Sequence, residues 1–73
     1  MIDPETLKGI ETRLFLRWPR LKFGALSLTD TMVDITFDTF ATEAQEKQIR
    51  NFVKKFMARE YPNLQYKLER LPF

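Results

Sequence analysis

The stretch Val33-Asp34-Ile35-Thr36-Phe37-Asp38 alternates apolar and polar residues without a break. A period of two marks a β-strand with one face buried and the other in water. Working back from it, residues 21–40 read as a β-hairpin. With Thr29-Asp30 as the turn, Leu26 faces Val33 and Gly24 faces Ile35. A slip of one residue would set Leu26 against Asp34, so burial is expected to fix this register. Leu21 and Phe23 then fall out of phase with Leu26 and Leu28, and a β-bulge at Gly24-Ala25 would restore the phase.

Helical patterns lie on both sides of the hairpin. Thr42-Glu43-Ala44-Gln45 matches a capping box and opens a helix over residues 43–60. Ile49, Phe52, Val53 and Phe56 form its apolar stripe, with Met57 at the edge. Glu43–Lys47 and Glu46–Arg50 are favourable i,i+4 pairs, and Tyr61-Pro62-Asn63 ends the helix. Leu64, Tyr66 and Leu68 then alternate with Gln65, Lys67 and Glu69 as a third strand, followed by the apolar tail Leu71-Pro72-Phe73. At the other end, Asp3-Pro4-Glu5 is a helix start, and Ile2 and Leu7 occupy the positions of a hydrophobic staple. Leu7, Ile10, Leu14 and Trp18 make a stripe over residues 4–18, which Pro19 stops. Phe15 and Leu16 lie at the edge of that stripe and opposite it, so residues 13–18 also admit a strand reading; helix is preferred.

The order is α-β-β-α-β, one α+β domain over residues 1–73. A right-handed crossover brings the third strand parallel to the second. Pairing beside the first strand instead gives a mainly antiparallel three-stranded sheet of order 2-1-3. That order is preferred, because parallel-paired strands ask for cover on both faces. Both helices then pack on one face, and Ser27, Asp34, Thr36, Asp38, Gln65, Lys67 and Glu69 face water.

Composition narrows the function. A chain of this length buries only about 60% of its unfolded surface, so an enzyme-sized pocket would remove contacts it can hardly spare. Of the 73 residues 44% are apolar, and seven Phe, two Tyr and one Trp supply bulk to the core. The absence of Cys rules out a disulfide, and without His or Cys the commonest base, metal ligand and nucleophile are all missing. The lone serine, Ser27, has no histidine to activate it, and two isolated glycines make no phosphate loop. The acids lie in helix first turns or at exposed strand positions, where capping and solubility account for them. Asp34 and Asp38 are about 13 Å apart on a strand and cannot share one metal ion. No enzyme, cofactor or metal is expected. The longest uncharged stretch is residues 23–29, too short to span a membrane, and Met-Ile-Asp-Pro-Glu is no signal peptide, so a cytoplasmic protein is the default expectation.

Two surfaces attract attention. Arg13, Phe15, Leu16, Arg17, Trp18 and Arg20, continued by Lys22 and Phe23, interleave arginine with large apolar residues at the end of the first helix and the following loop. Tryptophan and arginine are enriched in interface hot spots. The plainer account makes Phe15 and Trp18 core with arginines shielding them, but Leu16 shares no face with Leu7 and Leu14. The chain is therefore expected to bind a partner protein, or itself, there. The alternative is nucleic acid on the second helix. Lys47, Arg50 and Lys54 fall within about 60° of its circumference, with Lys55 and Arg59 on the opposite flank. The net charge of +2 is small for that role, and cations near a helix C-terminus also suit the dipole by about 0.3–1 kcal/mol each.

Overall fold

The computed structural model describes residues 1–72 as α1 (Pro4–Arg17), β1 (Phe23–Ser27), β2 (Met32–Phe37), α2 (Glu43–Glu60) and β3 (Gln65–Arg70). Phe73, the end of the expected apolar tail, lies outside the described residues. The helix starts follow from local chemistry. The Asp3 carboxylate accepts the Glu5 amide at 3.0 Å, with Pro4 at the first helical position. The Thr42 hydroxyl accepts from the Gln45 amide at 3.1 Å while the Gln45 side chain accepts from the Thr42 amide at 2.9 Å. Residues 13–17 are helical, so the strand reading of that segment does not hold.

Strand order departs from expectation. The sheet is mixed, in order β1-β2-β3, rather than mainly antiparallel in order 2-1-3. β1 runs antiparallel to β2, and β3 runs parallel to it. Two physical reasons decide this. The loops flanking α2, residues 38–42 and 61–64, are short and return the chain to the slot beside β2. The far edge of β1 is partly occupied. Glu11 Oε1 accepts the Ala25 amide at 3.2 Å, and the Ile2 amide donates to Ser27 Oγ at 3.2 Å. A single parallel pair also needs less cover than a wholly parallel sheet, because Asp34, Thr36, Lys67 and Glu69 make its open face polar.

The hairpin register is the slip set aside above. Leu26 pairs with Asp34, Ala25 with Ile35 and Gly24 with Thr36. The turn holds one more residue than Thr29-Asp30 alone, since the amides of Leu28 and Thr29 both reach Met32 O. The Thr29 hydroxyl accepts from the Thr31 amide at 3.2 Å, and Ser27 Oγ donates to Thr29 O at 2.9 Å, which stabilises the longer loop. One added residue flips every side chain of β1 to the other face. Leu21, Phe23 and Ala25 are then in phase without a bulge, and β1 pairs continuously. Leu26, at 65% exposure, and Leu28 go to the open face.

Val33, Ile35 and Phe37 are fully buried and form one cluster with Ile10 and Leu14 of α1 and Ile49, Val53, Phe56 and Met57 of α2. Both helices thus share one face of the sheet. Ser27 turns toward that side, opposite Val33, and not to water as expected. Asp38 is also buried, because β2 ends at Phe37 and alternation no longer governs the next residue. Asp34 Oδ1, on the open face, is buried without a hydrogen-bond partner, and nothing in the structure accounts for that. Among the described residues no helix is long and apolar enough to cross a membrane.

Candidate interaction surface

The last turn of α1 and the loop after it bring the first set of residues together. Leu14 points inward, so helical phase sends Leu16 outward at 70% exposure. Phe15, at 53%, leans to the β1 side. There it joins Leu21, Phe23, Lys8 and Lys22 around an open groove of about 470 Å³. Arg13 and Arg17 take the opposite flank, toward α2. The Arg13 guanidinium lies 5.0 Å from the Phe56 ring centre and that of Arg17 lies 4.9 Å from Trp18.

Trp18 closes α1. Its amide donates to Leu14 O at 2.9 Å, and its carbonyl accepts from the Leu21 amide at 3.1 Å in a tight turn. That turn carries Arg20 into solvent. The indole is only 6% exposed, packed edge-on to Phe52 at 5.4 Å and tilted against Phe23 at 6.2 Å. It therefore supports the surface from beneath, while Phe15 and Leu16 provide the apolar area that solvent reaches.

The cations of α2 separate into two groups. Lys55 and Arg59 meet Arg17 around a groove of about 330 Å³ floored by Trp18, Phe52 and Phe56, so one of the expected nucleic-acid flanks joins the end of α1. Lys47, Arg50 and Lys54 lie away from it. Arg50 is engaged already, donating to Glu46 Oε2 at 3.0 Å and, at 3.4 Å, to Leu68 O. Lys54 lines a groove with Leu64 and Tyr66 beside β3. Among the described residues no group of His, Cys, Asp or Glu converges as a metal site.

Two carboxylates that read as ordinary surface acids turn out to be structural. Asp38 accepts the Lys22 amide at 3.1 Å and the Phe40 amide at 3.0 Å. The Phe40 and Lys22 amides hold its carboxyl below the usual 3.8. Glu46 is held below 4.5 by Arg70, which donates to it at 2.6 Å, and by Arg50. Arg70 also donates to the carbonyls of Thr39 and Ala41, at 2.9 and 2.8 Å. This clasp leaves Phe40 outside the core at 84% exposure. Its position just past the end of the β2 alternation was the one sequence signal for that exposure.

Comparison with protein-family models, curated proteins and solved structures found no match.

Proposed function

We propose that this chain is a non-enzymatic protein-interaction domain that docks an acidic surface of a partner protein onto the end of α1 and the turn after it. The observation that carries the reading is the exposure of Phe15 and Leu16 side by side on a helix end flanked by Lys8, Arg13, Arg17, Arg20 and Lys22. Covering Leu16 alone is worth about 2 kcal/mol. The surrounding cations would steer an acidic partner and fix its orientation. Trp18 would hold the turn rigid rather than enter the contact. Capture from extracts of the source organism tests this. The wild type should retain a protein partner after nuclease treatment, and Leu16→Glu should lose it. An unchanged set of captured proteins with Leu16→Glu refutes the reading.

A second reading, nucleic acid, is favoured by one observation: Arg17, Lys55 and Arg59 share an aromatic-floored groove. If phosphates sit there, Lys55→Glu with Arg59→Glu should lower the salt slope of oligonucleotide binding by about 1.8, at about 0.9 per phosphate on duplex DNA. No retention of an oligonucleotide by the wild type at about 50 mM salt would dispose of it.

A further inference from the structure

Beyond the α1 surface, the two edges of the sheet differ in a way that bears on association. In the parallel pair, the Gln65 amide donates to Thr31 O at 2.7 Å and the Leu71 amide donates to Phe37 O at 2.8 Å. Odd-numbered residues of β3 thus turn their peptide groups toward β2. Tyr66, Leu68 and Arg70 turn theirs outward. Among the described residues nothing accepts these three outward amides, and Leu68 O meets only the Arg50 guanidinium at 3.4 Å. On β1, by contrast, Glu11 caps the outward amide of Ala25. β3 is therefore an open template for another strand.

We infer that the occupant is a second copy of this chain, paired β3 to β3 antiparallel about a two-fold axis at Leu68. The β3 sequence is self-complementary in that register and in no other that overlaps as fully. The outward-turned residues must pair with one another to form hydrogen bonds, which sets Leu68 opposite Leu68 of the second copy and Tyr66 opposite Arg70. Lys67 then lies opposite Glu69 of the second copy, and Glu69 opposite Lys67. Both pairs fall at non-hydrogen-bonded positions, where Cα atoms approach to about 4.5 Å and side chains come closest. Both residues are exposed on the open face of the sheet, free to meet. Sliding one copy by two residues keeps the hydrogen-bonding parity but sets Lys67 against Lys67, or Glu69 against Glu69. Charge therefore selects one register, and the contact is isologous and closes at two copies.

Charged residues on an edge strand ordinarily repel foreign strands; here the same two charges repel an arbitrary strand while fitting their own. On the helix side, Tyr66 and Leu68 are half-buried in one copy and gain cover from the other. The opposing term is that the Arg50–Lys54 flank of α2, which leans on β3, would come beside its copy. That repulsion makes the association weak, and it requires Arg50 to release Leu68 O.

The test is sedimentation across a concentration series to about 1 mM, with circular dichroism to verify that each variant is folded. The wild type should dimerise with rising concentration. Glu69→Lys, whose neighbour on β2 is Thr36, should be monomeric. The double variant Lys67→Glu/Glu69→Lys should dimerise again. Because Lys67→Glu sets a carboxylate beside Asp34, the variants are also made in an Asp34→Asn background, where the swap should again dimerise and an equimolar mixture of the two single variants should form heterodimers. In the wild type, amide exchange at Tyr66, Leu68 and Arg70 should slow as concentration rises, while Ala25 stays unchanged. Leu16→Glu should leave all of this intact, so failure here is separable from failure of the α1 reading. A wild type that stays monomeric to about 1 mM overturns the inference. So does a dimer indifferent to Glu69→Lys, or folded variants in which neither the charge swap nor the mixture restores association.

Discussion

β1 and β3 are both edge strands on the same central β2, yet among the described residues the chain caps an outward amide at the middle of β1 and none of those on β3. Glu11 reaches from α1 to the Ala25 amide, and Ile2 is tied to Ser27. Among the described residues nothing covers the β3 amides in that way; its ends are held by Gln65–Thr31, Leu71–Phe37 and the Arg70 clasp, while the amides of Tyr66, Leu68 and Arg70 face outward. The difference shows that strand order here depends on which edge remains available. α1 and the segment before it fill the slot beside β1, so the crossover delivers β3 to the other side.

The largest expected effect tests how tightly the sealed side is packed. A Cβ added at Gly24 would lie 2.8 Å from Thr36 Oγ1 on the paired strand. Gly24→Ala should cost about 1–3 kcal/mol in denaturant unfolding, and less in a Thr36→Ala background. A neutral Gly24→Ala would mean that β1 has room to shift. Next is the seal itself. Glu11→Ala should destabilise by about 1 kcal/mol and raise amide exchange at Ala25 without altering Leu68. Equal changes at both positions would erase the distinction between the edges.

The smallest effect is expected in acid, because the half-buried Glu46 keeps solvent access and Asp38 is bonded to two neutral amides rather than to an opposite charge. Asp38 ties the residue before β1, and Glu46 ties Arg70 at the end of β3. Both carboxyls titrate below their usual values of 3.8 and 4.5. A lowered folded value means the contribution is complete above the unfolded value and is lost as pH falls through the folded one. Unfolding free energy should therefore decline as pH drops below about 4.5, and decline less in Asp38→Asn and Glu46→Gln. A flat profile would show that neither carboxylate holds its strand end.

What was legible in the sequence was local. Both helix starts follow from Asp3-Pro4 and from Thr42 with Gln45, because a cap involves residues two or three apart. The exposure of Leu16 follows from its angle to Leu14 on a single helix. The hairpin register was not legible, since a longer loop is supported by two hydroxyls, those of Ser27 and Thr29. Nor was strand order, which depends on the short loops around α2 and on contacts at the β1 edge such as that of Glu11, fourteen residues before its partner and indistinguishable in sequence from any surface acid. Trp18 read as a contact residue because tryptophan is common in interfaces, but a core this small needs that ring inside. Arg70 closes over Thr39, Ala41 and Glu46 only because β3 runs parallel to β2, which the preferred strand order did not allow.

The parallel pairing also shapes how the chain finds its structure in time. Hairpin partners on β1 and β2 lie six to fourteen positions apart, whereas every β3 residue meets a β2 residue thirty-three positions before it. Closing that longer loop costs more entropy until α2 has formed, so the hairpin and the capped helix are expected to assemble before β3. By the same reasoning β3 is the first strand to let go. The open edge is thus carried by the element that arrives latest, and a second copy bound there would slow its departure.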